Sequence, residues 1–339
     1  MRIAHVILTS RFAGSERHVL ELAAAQAADH EVTLVLRRAA AQARPDAIAQ
    51  RVDPRVGLEL VGDWFAPWHA RRLLRRLRPE VAHAHLSGGC RALHSLETGA
   101  LRLATLHIAY KPRQHAPLDG LVAIAPWQMQ AIPEALRARS VQIDNWTVPA
   151  LPAPDARERL RSGLGIGAHE FVFGALGRAE RSKGLDVLIA AFERAALPAS
   201  RLVIVGQGRE WQALRRQAGP QVHMVGFSDR PQDWLAAFDG FVSAARSEPF
   251  GLVLLEAMAA GLPVLATASQ GARHLAGLIE RPLVPLDDVG AMADALRGMH
   301  ALRPPRRSYD LRRFDLQARR AELEAFYRQG LARGRGQHG

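Results

Sequence analysis

The sequence predicts an α/β protein made of two doubly wound parallel sheets that follow one another along the chain. Three observations carry this expectation. Short runs rich in β-branched residues alternate with longer amphipathic segments, the pattern of parallel strands joined by covering helices. The alternation breaks once, at Pro149-Ala-Leu-Pro-Ala-Pro154, where three prolines oppose both helix and central strand. The chain has 339 residues, long for one domain and suited to two, since domains usually run about 100–200 residues.

In order, Ile3 to Leu8, Glu31 to Arg37, Glu80 to Ala84, Leu103 to Leu106 and Leu121 to Ile124 read as strands, with Glu16 to Ala28 the clearest helix between them. After the break, strands are expected at Phe171 to Leu176, Leu202 to Val205, Val222 to Val225, Gly240 to Ser243 and Pro263 to Ala266. Helices are expected over 184–196, 208–218 and 251–260. The expected organisation is a first domain over 1–148, a linker over 149–154 and a second domain over 155–315. A long arginine-rich helix over 316–335 either completes the second domain or returns to the first. Open sheets of this kind bind ligands beyond the carboxyl ends of their strands, so a cleft between the domains is the expected site.

Composition narrows the class. Hydrophobic residues make up 48% of the chain and charged residues 23%, and no apolar run approaches the roughly 18–20 residues of a spanning helix, so a soluble globular protein is expected. The net charge is +12, and 43 of the 45 basic residues are arginine; only Lys111 and Lys183 are lysine. The excess is +6 on each side of residue 150, which excludes a single basic tail. Such a charge favours anionic partners. A non-catalytic nucleic-acid-binding protein is disfavoured, because aromatic residues are only 6% and neither a basic strand studded with them nor a reading helix is present. A single cysteine, Cys90, allows no internal disulfide and fits a reducing compartment. Met1 to Leu8 is too short for a signal peptide, so a cytoplasmic location is expected.

Two stretches carry chemistry. In Ser247-Glu-Pro-Phe-Gly-Leu-Val-Leu-Leu-Glu256, Glu248 precedes a predicted helix and Glu256 sits in its second turn, with its side chain tilted towards the helix start. The first amides of that helix, from Phe250, Gly251 and Leu252, lack intrahelical acceptors and suit a phosphate. Carboxylates accept from hydroxyls, so the pair suits a ligand with hydroxyls and a phosphate. In Gly177-Arg-Ala-Glu-Arg-Ser-Lys-Gly-Leu-Asp186, Arg178 and Lys183 flank a short loop after a strand and can converge on one diphosphate.

Gly177-Arg178 followed by Lys183-Gly184, with Glu248 and Glu256 in a Glu-Pro-Phe-Gly context, resembles the retaining glycosyltransferases of the GT-B fold, most closely glycosyltransferase family 4. Leu202-Val-Ile-Val-Gly-Gln-Gly208 and Gly226-Phe227 fall in the family's order, so the resemblance spans nearly the whole chain. It implies two Rossmann-like domains facing across a cleft, the first for the acceptor and the second for the donor. It also implies transfer of a sugar from a nucleotide diphosphate, UDP- or GDP-linked, with retained configuration and with no metal or other cofactor. Arg178 and Lys183 would hold the diphosphate, Glu248 and the amides after it the donor sugar, and Glu256 the ribose. The base would lie near Gly226, Phe227 and Ser228.

In the first domain, Ala13-Gly14-Ser15-Glu16 resembles the family's glycine-rich turn near donor phosphate and acceptor, with Ala13 where a second glycine is common. Val81-Ala-His-Ala-His85 and Ala104-Thr-Leu-His107 resemble its histidine-bearing strand ends, with His107 the preferred transfer-site contact. His83 and His85 share a strand face, but no third ligand stands at a metal-binding spacing. Arg71-Arg-Leu-Leu-Arg-Arg-Leu-Arg78 reads as a basic amphipathic helix, with Arg71, Arg72, Arg75 and Arg76 facing an anionic membrane or acceptor, or as a plain solvated face. The expected activity is glycosyl transfer onto a cell-envelope glycan or glycolipid, such as lipopolysaccharide core or a lipid-linked saccharide. A nucleotide-sugar 2-epimerase on the same architecture is the catalytic alternative.

Overall fold

Alternation between two buried faces sets the strands. In Val81-Ala-His-Ala-His85 the two alanines enter one apolar core with Ala70, Leu74 and Cys90, while valine and the histidines face the opposite layer. A computed structural model describes residues 1–44 and 46–336, and the chain divides into two compact units, Met1–Trp146 with the chain from Arg313 onward, and Thr147–Arg312.

The first unit holds strands β1 (Arg2–Ile7), β2 (Glu31–Arg37), β3 (Gly57–Val61), β4 (Val81–His85), β5 (Leu101–Leu106), β6 (Gly120–Ala123) and β7 (Val141–Gln142). They form one parallel sheet in the order β3-β2-β1-β4-β5-β6-β7. Its helices are α1 (Gly14–Gln26), α2 (Ala66–Leu77), α3 (Leu86–Leu93), α4 (Pro112–His115), α5 (Pro126–Ala131) and α6 (Glu134–Arg137). The two strands without a sequence expectation, β3 and β7, are the sheet edges. β3 is largely exposed and β7 is two residues long, so neither shows the apolar run of a strand buried on both faces.

The second unit begins with α7 (Ala156–Gly163) and continues β8 (Phe171–Leu176), α8 (Leu185–Ala195), β9 (Ser200–Val205), α9 (Trp211–Gln217), β10 (Val222–Gly226), α10 (Pro231–Ala237), β11 (Gly240–Ser243), α11 (Leu252–Ala259), β12 (Val264–Ala266), α12 (Gln270–His274) and α13 (Val289–Leu302). Its parallel sheet runs β10-β9-β8-β11-β12. In both sheets the chain reverses direction of travel beside its first strand, at β1/β4 and at β8/β11. These are the switch points where doubly wound sheets leave a crevice.

The last helix, α14 (Leu316–Gly336), packs on the first unit, burying Leu323, Phe326 and Tyr327 against Ile3, Leu22 and Val81. Arg320 and Glu324 on its inner face pair with each other at 2.6 Å. Arg320 also pairs with Asp29, and Glu324 lies 3.2 Å from His30. A buried arginine is thus neutralised by two carboxylates. No helix of the described residues is long and apolar enough to cross a membrane.

Candidate functional site

The strand ends of the second unit are drawn together by glycine. Gly206, after β9, has φ of 138°, and a Cβ there would stand 1.9 Å from the Gly177 carbonyl oxygen. One at Gly208 would stand 2.3 Å from that of Ala179. Only hydrogen at these α-carbons permits the approach. The Gly206 amide donates to Gly226 and the Ala179 amide to Gln207. The loops after β8, β9 and β10 are therefore stitched into one floor that holds Arg178 and Gly226. The exposed Arg178 guanidinium has no partner among the described residues. Phe227, directly after β10, is 39% exposed.

On the other side of the switch point, Lys183 ends a short 3-10 turn (Arg181–Lys183) and Glu248 follows β11. The Lys183 ammonium donates to the Glu248 carboxylate at 2.5 Å, with side chains 23% and 13% exposed. Gly184 lets this turn seat itself on the end of β11: its φ is 60°, and a Cβ would fall 2.0 Å from the Ala244 carbonyl oxygen. Arg246 fixes the turn to the Glu248 loop. Its guanidinium grips both oxygens of Asp186 at 2.7 Å and also reaches Asp287 and the Arg181 carbonyl. The Arg246 and Ser247 amides both donate to the Ser182 carbonyl. Sequence reasoning missed Arg246, whose only signal was its place two residues before Glu248.

Glu248 and Glu256 flank the start of α11 as the spacing predicts. Gly251 is its N-cap, with φ of 95°, and Glu256 lies half-buried in the second turn. The Gly251 and Leu252 amides are positioned without intrahelical acceptors. The Phe250 side chain is buried in ring contact with His274, so the expected contribution from this residue is confined to its backbone.

In the first unit, Gly14 begins α1 after β1, and Ala13 caps it in extended backbone, φ −152°. No positive φ is required there, which is why alanine is accepted. Two residues on, Glu16 is buried and accepts from Thr9 Oγ1 at 2.7 Å and Ser15 Oγ at 3.0 Å. Ser15 is thus tied to Glu16.

A layer of imidazoles lies between this sheet and the helices α1 and α14. β1 and β4 align His5 beside His83. His5 Nδ1 is 3.1 Å from His85 Nε2, and His85 Nδ1 is 3.0 Å from His107 Nε2. His83 bridges the Tyr327 hydroxyl and Thr105 Oγ1 at 2.6 and 2.8 Å. His18 stacks on Trp146 with ring centroids 4.1 Å apart and meets His107 edge-on. Trp146 also donates to Glu21 at 2.8 Å. Burial first, and then mutual proximity for several of them, holds these histidines neutral: His5 and His107 fall to about 4, and His18, His83 and His85 well below 6.5. Buried Gln128 donates to the Leu106 and Ile108 carbonyls and so fixes the segment carrying His107.

The missing third imidazole for a metal is corrected here. His5 joins His83 and His85, and His18 and His107 join His85, within coordination spacing. The neighbours come from β1 and α1, too distant in sequence for spacing to reveal. Both ring nitrogens of His5, His83 and His85 are already engaged in hydrogen bonds.

The basic helix α2 is corrected in one member. Arg71 donates to the Ala92 and Arg91 carbonyls at 3.1 and 2.7 Å and so ties α2 to α3. Arg72 and Arg76 are exposed, as is Arg75, which reaches the Ser95 carbonyl at 3.3 Å. Leu74 fills the core beneath. Sequence reasoning missed the apolar tip: Trp64 and Phe65 are 85% and 81% exposed, and Trp68 stands under Arg72 beside a groove of about 290 Å³ lined with Arg71 and Arg75.

Two parallel sheets with helices on their faces, a buried imidazole layer at the switch point of one and a lysine–glutamate pair at that of the other, define an α/β protein of the GT-B type. The chain belongs to the family 4 glycosyltransferases: residues 12–169 match Glycosyltransferase Family 4, and residues 170–301 match Glycosyl transferases group 1. The phosphatidyl-myo-inositol mannosyltransferase of Mycolicibacterium smegmatis is 33% identical over 229 residues, 61% of this chain and 54% of that protein. The lipopolysaccharide glucosyltransferase WaaG of Escherichia coli is 37% identical over 130 residues, 36% of this chain and 34% of that protein. The matches thus span about a third to a half of the length of these relatives. Among solved structures, HepE of Anabaena in complex with UDP and glucose shares the fold, with a TM-score of 0.77 and 18% identity, covering 96% of this chain and 98% of that one.

Proposed function

We propose that this chain is a retaining glycosyltransferase that moves a sugar from a UDP- or GDP-sugar to a cell-envelope glycan or glycolipid, lipopolysaccharide core or a lipid-linked saccharide. The observation that carries the reading is the Lys183–Glu248 pair at the β8/β11 switch point with unpartnered Arg178 nearby. Lys183 has three donors, of which Glu248 takes one and aims the others. Together with Arg178 it grips the donor diphosphate and offsets the charge that develops on it. Glu248 and the Gly251 and Leu252 amides hold the sugar, Glu256 the ribose, and the Gly226–Phe227 backbone the base. The bond from the anomeric carbon to the diphosphate breaks, and the acceptor oxygen bonds to that carbon on the same face. The acceptor's proton passes to the departing phosphate oxygen, so neither a metal nor an enzyme nucleophile is required.

Thermal shift tests the donor assignment. A matching nucleotide sugar at about 100 times its Kd stabilises the fold by about 2.7 kcal/mol and raises Tm by about 5–10 °C. Glu256→Ala is expected to weaken that binding about 10–100-fold, the loss of charged hydrogen bonds to ribose. No response to any of UDP, GDP, ADP or their sugars defeats the reading, and turnover of donor without acceptor favours the epimerase.

The names of the curated relatives, acting on phosphatidylinositol and lipopolysaccharide, support an acceptor anchored in a lipid leaflet. On this reading α2 docks peripherally on an anionic surface, Trp64 and Phe65 entering the interface while Arg72, Arg75 and Arg76 meet the headgroups. Arg75→Glu with Arg76→Glu is expected to weaken binding to anionic vesicles roughly 30-fold or more, at about 1 kcal/mol per charge, with donor binding unchanged. Equal vesicle binding leaves α2 a solvated face.

A further inference from the structure

The imidazoles around the β1/β4 switch point form more than a set of satisfied polar groups. Gln26, at the end of α1, presents its Oε1 to His5 Nε2 at 2.8 Å. From there the chain continues through His5 Nδ1 to His85 Nε2 at 3.1 Å, and through His85 Nδ1 to His107 Nε2 at 3.0 Å. A neutral imidazole carries one N–H and one bare nitrogen. Two ring nitrogens about 3 Å apart must share a single proton, since two protons clash and none leaves lone pair against lone pair. Three neutral imidazoles in series therefore have only two arrangements, with every proton on Nε2 or every proton on Nδ1. An amide oxygen accepts and never donates, so Gln26 selects the first.

We propose that Gln26, His5 and His85 are positioning residues that lock His107 in its Nε2–H tautomer, so that a bare Nδ1 is offered at the carboxyl end of β5 as an acceptor for a sugar hydroxyl. The hydroxyl as recipient rests on the glycosyl-transfer reading; the direction of the chain does not. Three features support the assignment. Burial keeps each ring neutral, which the single-proton bonds require. His107 Nδ1 has no hydrogen-bond partner among the described residues, although the residue is only half-buried. Gln128 clamps the carbonyls on either side of His107, so the backbone is held and the tautomer is the remaining variable. The Gln26 amide also lies beside the Tyr327 phenol, whose oxygen meets His83 at 2.6 Å.

The test is nitrogen NMR of the full chain labelled with 15N-histidine, reading which ring nitrogen is protonated without substrate present. Nε2–H on His5, His85 and His107 together is expected. Nδ1–H on His107 in the wild type overturns the proposal. Gln26→Leu removes the acceptor while keeping apolar volume, and is expected to mix the His107 tautomers and lower kcat about 10-fold with donor KM unchanged. An unaltered His107 tautomer in that variant also overturns the lock. Should the variant not fold, the wild-type spectrum decides by itself. Wild-type protein that binds no nucleotide sugar defeats the glycosyl-transfer reading alone, because the tautomers are measured independently of it.

Discussion

Replacing Lys183 with alanine is expected to lower kcat/KM by about 10²–10³, the loss found when one preorganised donor is removed from a developing anionic charge. The same substitution strands Glu248, whose carboxylate is 13% exposed and has Lys183 at 2.5 Å. The pair is partly wet, so its contribution lies below the roughly 3–5 kcal/mol of a fully buried pair. A loss of about 1–2 kcal/mol of stability is the discounted expectation. Activity should therefore fall far more than stability. Glu248→Ala frees the ammonium and, on the proposed reading, removes the sugar contact, so it too should lower kcat/KM strongly. Because the two side chains act as a unit, the double variant should be little worse than either single one. The measurement is a double-mutant cycle in kcat/KM with Tm recorded alongside. Additive losses would separate the two roles, and wild-type turnover in Lys183→Ala would remove the clamp from the mechanism.

The two residues of that pair were legible singly and their contact was not, since Lys183 and Glu248 lie 65 residues apart in the chain. A lysine in a chain that otherwise uses arginine, and two glutamates spaced to serve one helix start, are visible in the letters. The central strands were legible for a related reason: β2, β8 and β11 are apolar and bounded by turns. Their ends, where the candidate site lies, are set by glycines whose purpose is proximity. Nothing in Gly206-Gln-Gly208 reveals that Gly206 presses on the Gly177 carbonyl, since this follows from how β8 and β9 lie side by side.

The arginines illustrate the opposite limit. Arg157 and Arg306 come from distant parts of the chain, yet both donate to the last carbonyls of α10, at Ala236 and Phe238. Helix ends leave such carbonyls unpaired, and a guanidinium with five donors can serve several at once. Arg71 does the same for α3. Part of the +12 charge is therefore spent inside the fold. The histidine layer was illegible for the same topological reason: β1, β4 and β5 are neighbours in the sheet but far apart in sequence, so five rings that meet in space look scattered in the chain.

That layer carries the second large effect, a loss of the first unit in mild acid. His5, His107 and His115 are held near 4, and His18, His83 and His85 well below 6.5, burial being the leading cause in every case. All six belong to the first unit. In the unfolded chain each titrates near 6.5. A folded-state value depressed below the unfolded one means that the unfolded chain binds more protons between the two values, so stability is intact above pH 6.5 and falls as pH drops towards 4. Each group forfeits about 1.4 kcal/mol per pH unit in that window. At pH 5.5 these losses, acting together, take a large share of the roughly 5–15 kcal/mol that holds a typical domain. The first unit is therefore expected to unfold cooperatively between about pH 6 and 5, reversibly. The second unit, whose histidines His223 and His300 are depressed less far, should follow at lower pH. Calorimetry from pH 7.5 to 4.5 should show one transition moving steeply down in temperature and the other moving little. The emission of Trp146, stacked on His18, should change with the first. A Tm that stays flat from pH 7 to 5 would mean the histidines accept protons without leaving the fold, and the neutral hydrogen-bonded layer described above would then be wrong.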